Sequence, residues 1–317
     1  MTYQSTAITN DFLTLPKLPG WVTTGRAETL DTLAFRSGTA LAVLDQLVSD
    51  PRHGVPRKLL ANRLALTAAT ATSKLEGRLA RESDIRDSYH LAPPGEARGP
   101  DGDLLAFWRD AVRLRLRGPG EIADLVGPDF AREVGVWLDT GQERALTHGP
   151  LAGCIAVLRA VLGAEDRAER VACMLSDVVL ARTLNWKIVL PVSAHRLTKT
   201  TLRDLTERGQ GAELAVQARI LESIEGVIGL VRDLARSAEA LRSVAPKLRA
   251  KGSVAAVDLF LTEDAVAPTS MLSPRIQGTS IPMTDRAARR FCDRLVELGV
   301  ARELTGRPTF RLYGIAA

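Results

Sequence analysis

Near the end of the chain, Thr284 precedes Asp285-Arg286-Ala287-Ala288-Arg289-Arg290-Phe291-Cys292-Asp293-Arg294-Leu295-Val296-Glu297-Leu298-Gly299. At about 100° per residue, Ala287, Ala288, Phe291, Leu295 and Leu298 share one helical face, and Arg286, Arg289, Arg290 and Asp293 lie opposite. The spacing predicts an amphipathic helix with Thr284 at its N-cap and Gly299 just past its end. Val300–Leu304 and Thr309–Tyr313 then flank Thr305-Gly306-Arg307-Pro308, a hairpin signal that carries Arg302, Arg307 and Arg311 with it. Guanidinium groups on a helix and an adjoining hairpin suit a polyanion. The helix can enter the major groove of double-stranded DNA, while the hairpin arginines meet phosphates or the minor groove. The same elements can instead dock a protein partner, since Asp285, Asp293 and Glu297 place acidic groups on that helix.

The charge distribution points to the same end. The 317 residues carry a net +5, yet the stretch from Thr269 onward holds eight arginines, no lysine, two aspartates and two glutamates, a net +4. Such asymmetry favours an anionic partner. Lys247, Arg249 and Lys251 form a second basic cluster just ahead of it.

Other chemistries lack their residues. The four histidines are isolated, and no Gly-rich phosphate loop, Ser-His-Asp set or paired-carboxylate pattern stands out, so the chain is read as non-enzymatic, with no catalytic residue, metal or cofactor. Three cysteines without a CxxC argue against a disulfide scaffold or zinc knuckle. Hydrophobic residues at 45% and charged residues at 25% are globular values, and aromatic content of 4% disfavours an all-β sandwich and a stacking binder of single strands. No apolar run reaches the roughly 18–20 residues of a membrane span, and Met1–Asn10 lacks a secretory pattern. A cytoplasmic protein without membrane contact is expected.

The elements that must position the arginines are helical. Helices are expected over about 29–51, 57–76, 82–91, 104–117, 128–140, 151–162, 167–184, 212–244 and 255–264, with Ile188–Val192 a short strand or a buried loop. Arg113, Arg115 and Arg117 are expected to cap the helix that they close, and Trp108, Trp137 and Trp186 to anchor the core. The fold class is therefore mainly α. An irregular N-terminal arm (1–28) precedes a large helical domain (29–252) and a C-terminal winged helix-turn-helix with a small β-hairpin (253–317).

Leu295-Val-Glu-Leu-Gly-Val-Ala-Arg-Glu-Leu-Thr-Gly-Arg-Pro-Thr-Phe-Arg-Leu-Tyr313 resembles the C-terminal winged helix appended to many Fic-domain proteins. Thr39-Ala-Leu-Ala-Val-Leu-Asp45 and Ala68-Ala-Thr-Ala-Thr-Ser-Lys-Leu-Glu-Gly77 resemble their N-terminal helical region. Thr72-x-x-x-Glu76-Gly77 is similar to their inhibitory motif, whose glutamate restrains an arginine of the catalytic loop. That loop, His-x-Phe-x-Asp/Glu-Gly-Asn-Gly-Arg, has no counterpart: His148-Gly-Pro-Leu-Ala-Gly-Cys154 lacks the acid, the asparagine and the arginine. The likeness thus implies a helical domain that is Fic-like but degenerate, with Glu76 in a structural pairing; a diverged nucleotidyl transferase is the enzymatic alternative.

Over most of its length the chain resembles an alphaproteobacterial family, domain of unknown function 1403, often found on plasmids. The matching stretches are Ala181-Arg-Thr-Leu-Asn-Trp186 leading to Pro191, Ala245-Pro-Lys-Leu-Arg-Ala-Lys-Gly252 and Arg302-Glu-Leu-Thr-Gly-Arg-Pro-Thr-Phe-Arg-Leu-Tyr-Gly314. The expectation is a DNA-binding regulator or maintenance factor of a plasmid or mobile element. Its helical domain would supply a homodimer contact or a protein-partner surface; the alternative is a protein-interaction subunit of a larger complex.

Overall fold

The computed structural model describes residues 15–24, 29–93, 95–116, 118–165, 167–248, 251–307 and 309–316. Helix starts and stops follow local chemistry. After the short α1 (Gly20–Thr24), Thr29 and Thr32 exchange hydroxyl-to-amide bonds of 3.2 and 3.3 Å and so cap α2 (Leu30–Ser49). Pro51 ends it, and the alanine-rich α3 (Arg57–Leu75) runs to Gly77, whose φ of +82° is a left-handed stop. The helices α4 (Glu82–His90), α5 (Gly99–Ala111), α6 (Gly120–Val126), α7 (Pro128–Ala131), α8 (Val134–His148), α9 (Pro150–Ala164), α10 (Glu169–Thr183), α11 (Lys199–Glu207) and α12 (Gly209–Val244) follow. At Gly127-Pro128 and Gly149-Pro150, a glycine at positive φ turns the chain and proline occupies the first helical position.

One hydrophobic core runs through the molecule. The helices α8, α9 and α10 form a tight sub-bundle, and α2 lies along α12. Contact between α8 and α9 depends on two glycines: a Cβ on Gly153 would lie 2.6 Å from the Gly141 carbonyl oxygen, and one on Gly141 2.4 Å from Val157 Cγ2. The 36-residue α12 is about 54 Å long. It buries Val216, Ile220, Ile224, Val227, Val231, Leu234, Ala238 and Leu241, spaced three or four residues apart along one face.

The chain then changes character. The helix α13 (Ser253–Phe260) leads to Val266, which pairs antiparallel with Tyr313. A π-helical turn at Pro268–Leu272 packs on α14 (Asp285–Glu297), and β1 (Ala301–Glu303) pairs antiparallel with β2 (Tyr313–Ile315), Arg302 opposite Gly314. The protein is mainly α, with this small hairpin at its C-terminal end.

Several details depart from the sequence-based expectations. The second hairpin strand, expected at 309–313, is β2 at Tyr313–Ile315, so Glu303 pairs with Tyr313. The helix placed at 104–117 is α5, which starts at Gly99 and stops at Ala111. Arg113 and Arg115 therefore lie past its end instead of capping it: Arg113 pairs with Asp110 at 3.3 Å, the Arg115 amide donates to Glu121, and Arg117 falls outside the described residues. Of the two alternatives left open for Ile188–Val192, the structure shows the buried loop, held because Asp177 Oδ1 accepts the Val192 and Ser193 N–H groups and the Ser193 hydroxyl. The helix α11, capped by the Thr198 hydroxyl, had no expectation attached, and α1 forms inside the stretch read as an irregular arm. The first turn of the expected helix-turn-helix is the short π-helical turn, and a 12-residue connection bridged at Arg275–Pro282 separates it from α14.

Candidate nucleic-acid interface

Of the expected apolar face of α14, Ala288, Phe291 and Leu295 are buried and Ala287 and Leu298 half-buried, and Cys292 is buried beside them. Thr284 Oγ1 accepts the Ala287 N–H at 3.3 Å, so the cap also holds. The opposite face is exposed, and Arg286, Arg289, Arg290, Arg294, Asp293 and Glu297 stand on it.

Two clefts flank this face. One, of about 590 Å³, is lined by Lys247, Thr284, Arg286, Arg290 and Arg294, with Phe291 at its base. Arg286 and Arg290 have no hydrogen-bond or ion-pair partner among the described residues, and Arg294 has only an exposed pair with Glu297 at 2.8 Å. Four cations thus converge on one opening without an acid in its lining. The other cleft, of about 550 Å³, lies between α14 and the hairpin, lined by Arg289, Asp293, Phe310, Arg311 and Tyr313. Its charges are largely matched: Arg289 pairs with Asp285 at 2.5 Å, and the Tyr313 hydroxyl donates to Asp293 at 3.1 Å. Phe310 is 71% exposed beside it, with a left-handed φ of +55°.

The structure therefore brings together Thr284, Arg286, Arg290 and Lys247, and separately Arg289 and Arg311. Arg302 is exposed on β1 and lines neither cleft. Arg307 turns toward the helical body, 3.5 Å from Asp87 on α4. Lys251 is exposed outside both clefts, and Arg249 lies outside the described residues.

Polar contacts to the helical body hold this unit in place. Asn62 donates to the Thr262 carbonyl at 2.8 Å, Arg63 to Ile315 at 3.2 Å and Arg86 to Leu304 at 3.0 Å. Arg109 binds Glu263 and Asp264 together, and His90 reaches Asp264 at 3.3 Å. Burial alone would push the Asp264 carboxyl up, but His90, Arg109 and Arg63 outweigh it and hold its pKa well below the ordinary carboxylate range. This buried charge cluster joins α4 and α5 to the segment that leads from α13 into the isolated bridge at Val266.

Glu76 has the structural role expected of it. Its carboxylate pairs with Arg170 at 2.9 Å, and Thr72 accepts the Trp108 indole N–H at 3.0 Å. Trp108, Trp137 and Trp186 are all buried. The three cysteines are free and buried, which raises the Cys154 thiol to about 12. No group of side chains suited to a metal ion occurs among the described residues. No helix is long and apolar enough to cross a membrane among them.

A family model described as a protein of unknown function (DUF1403) matches residues 6–315, through the helical body and the arginine-bearing unit alike. The chain belongs to the DUF1403 family. No curated protein matches it. In this DUF1403 chain the sequence-based site omitted Arg294, although its place eight residues after Arg286 and four after Arg290 puts it on the same stripe. That signal was available. The i,i+4 spacing of Asp285 and Arg289 was legible in the same way; the partner of Arg307 was not, because it depends on a contact between residues 220 positions apart.

Proposed function

We propose that this DUF1403 protein binds double-stranded DNA through its C-terminal unit and acts, without catalysis, as a regulator or maintenance factor of a plasmid or other mobile element. A helical turn, a second helix with an arginine-rich outer face and an arginine-bearing hairpin follow one another in the order of a winged helix, with α14 in the recognition position. A helix fits a B-DNA major groove about 12 Å wide. The observation that carries the proposal is the cleft of Lys247, Arg286, Arg290 and Arg294, whose lining holds no acid and where Arg286 and Arg290 are unpaired among the described residues. Phosphates neutralised there would release counterions and favour binding. Arg302 and Arg311 extend the positive surface along the hairpin.

Fluorescence anisotropy with a labelled duplex tests this. Arg286→Ala/Arg290→Ala is expected to weaken binding by roughly ten- to a hundredfold; unchanged affinity would remove α14 from the interface. A protein partner on the same face is the second reading, favoured by the exposed Phe310 and by Asp285, Asp293 and Glu297, which phosphate would repel. It predicts no duplex binding by the isolated protein.

A further inference from the structure

A cavity larger than either arginine cleft lies away from them, where the start of α3 meets the segments after α5 and α10. Its volume is about 910 Å³. Apolar walls come from Val48, Val112, Leu114, Leu184, Trp186 and Ile188, a lining and size typical of small-molecule sites.

The polar groups around it are biased in sign. Both acids in the lining are already engaged: Asp45 accepts the Trp186 indole N–H at 2.7 Å and the Ser49 hydroxyl at 2.9 Å, and Glu263 is bound by Arg109. The cations Arg57, Lys58 and Lys187 have no partner among the described residues, and Arg113 has only its exposed pair with Asp110.

Arg57 and Lys58 are also the first two residues of α3. Pro56 occupies the N-cap without a side-chain bond to the helix, and the first turn holds no acid. Leu60 is the first residue whose N–H reaches a carbonyl, that of Pro56. Two cations at the positive end of a 19-residue helix with an uncapped first turn form an unfavourable arrangement in isolation. An anion at that end would relieve it, accepting the free N–H groups and pairing with the side chains.

We propose that this cavity binds an amphipathic carboxylate, its headgroup at the start of α3 beside Arg57, Lys58 and Lys187, and its apolar chain against Leu114, Leu184, Trp186 and Ile188. The site is independent of the arginine cleft, and its ligand is recognised by the pairing of one negative group with one apolar chain.

Calorimetric titration of the full-length protein with octanoate, octan-1-ol and octylammonium tests it without DNA. Saturable octanoate binding at about one per chain is expected, with octanol about tenfold weaker and octylammonium weaker still. Lys58→Glu should lower octanoate affinity by about tenfold, yet raise the thermal midpoint, because an acid in the first helical turn suits the dipole. Lys187→Glu, on an exposed loop, should weaken octanoate without that rise. No saturable octanoate heat, equal binding of the three probes, or octanoate affinity unchanged in both variants would overturn the proposal.

Discussion

Arg109 Nη1 lies 2.5 Å from Asp264 Oδ1 in the protein interior, although 155 residues separate the two in sequence. The other arm of the guanidinium takes Glu263, and both Arg109 and Asp264 are almost fully buried. A buried ion cluster contributes little compared with an apolar core, but removing one member strands the rest. Asp264→Ala is therefore expected to lower stability by about 3–5 kcal/mol in urea denaturation. A loss within the error of the measurement would mean that the cluster is solvated in solution.

Two further buried groups titrate in opposite senses. Burial raises Asp177 to about 7 from its ordinary 3.8, against the donors of Val192 and Ser193, and lowers His195 to about 4 from 6.5. A raised carboxyl favours the folded state at low pH, and that contribution is lost as pH rises from 3.8 through about 7. A lowered imidazole favours the folded state above 6.5, and its contribution is lost as pH falls through about 4. Between pH 4 and 6.5 the two slopes oppose each other in the wild type. In Asp177→Asn, stability should rise with pH across that window relative to wild type, and in His195→Gln it should fall, each by up to roughly 1.4 kcal/mol per pH unit. Denaturation midpoints at four pH values check both signs.

The contact between α8 and α9 gives a steric prediction. Gly153→Ala places a methyl group against the Gly141 carbonyl and Ala145, and should cost about 1–3 kcal/mol. Gly38→Ala, in α2 with open space around it, should instead stabilise by about 0.5–1 kcal/mol. Thermal melts of the two variants should shift in opposite directions.

What the sequence made legible was local. The face of α14 and its Thr284 cap follow from a period of 3.6 and one hydroxyl; the hairpin was legible as an element but its register was not, since Glu303 faces Tyr313 where a turn at 305–308 would set it opposite Phe310. Trp108 and Trp137 were recognisable as core because each sits in an apolar helical run, whereas Trp186 lies in the loop after α10 and is buried by tertiary packing. The boundaries of α5 were not, because Gly99-Pro100 reads as a break and yet supplies a first helical turn. The Arg109–Asp264 pair and the cavity beside Lys58 depend on residues brought together only by tertiary packing. No spacing in one sequence announces them.

The interface claim rests on two unpaired arginines, and the salt dependence of duplex affinity tests it most directly. Arg286→Ala/Arg290→Ala should make the slope of log K against log salt shallower by about 2, since each phosphate contact contributes about 0.9. Arg219→Ala/Arg236→Ala on α12 removes the same charge from residues already paired with Glu222 and Asp233 and should leave the slope unchanged. Equal slopes in the two double variants would contradict the assignment of α14 to the DNA.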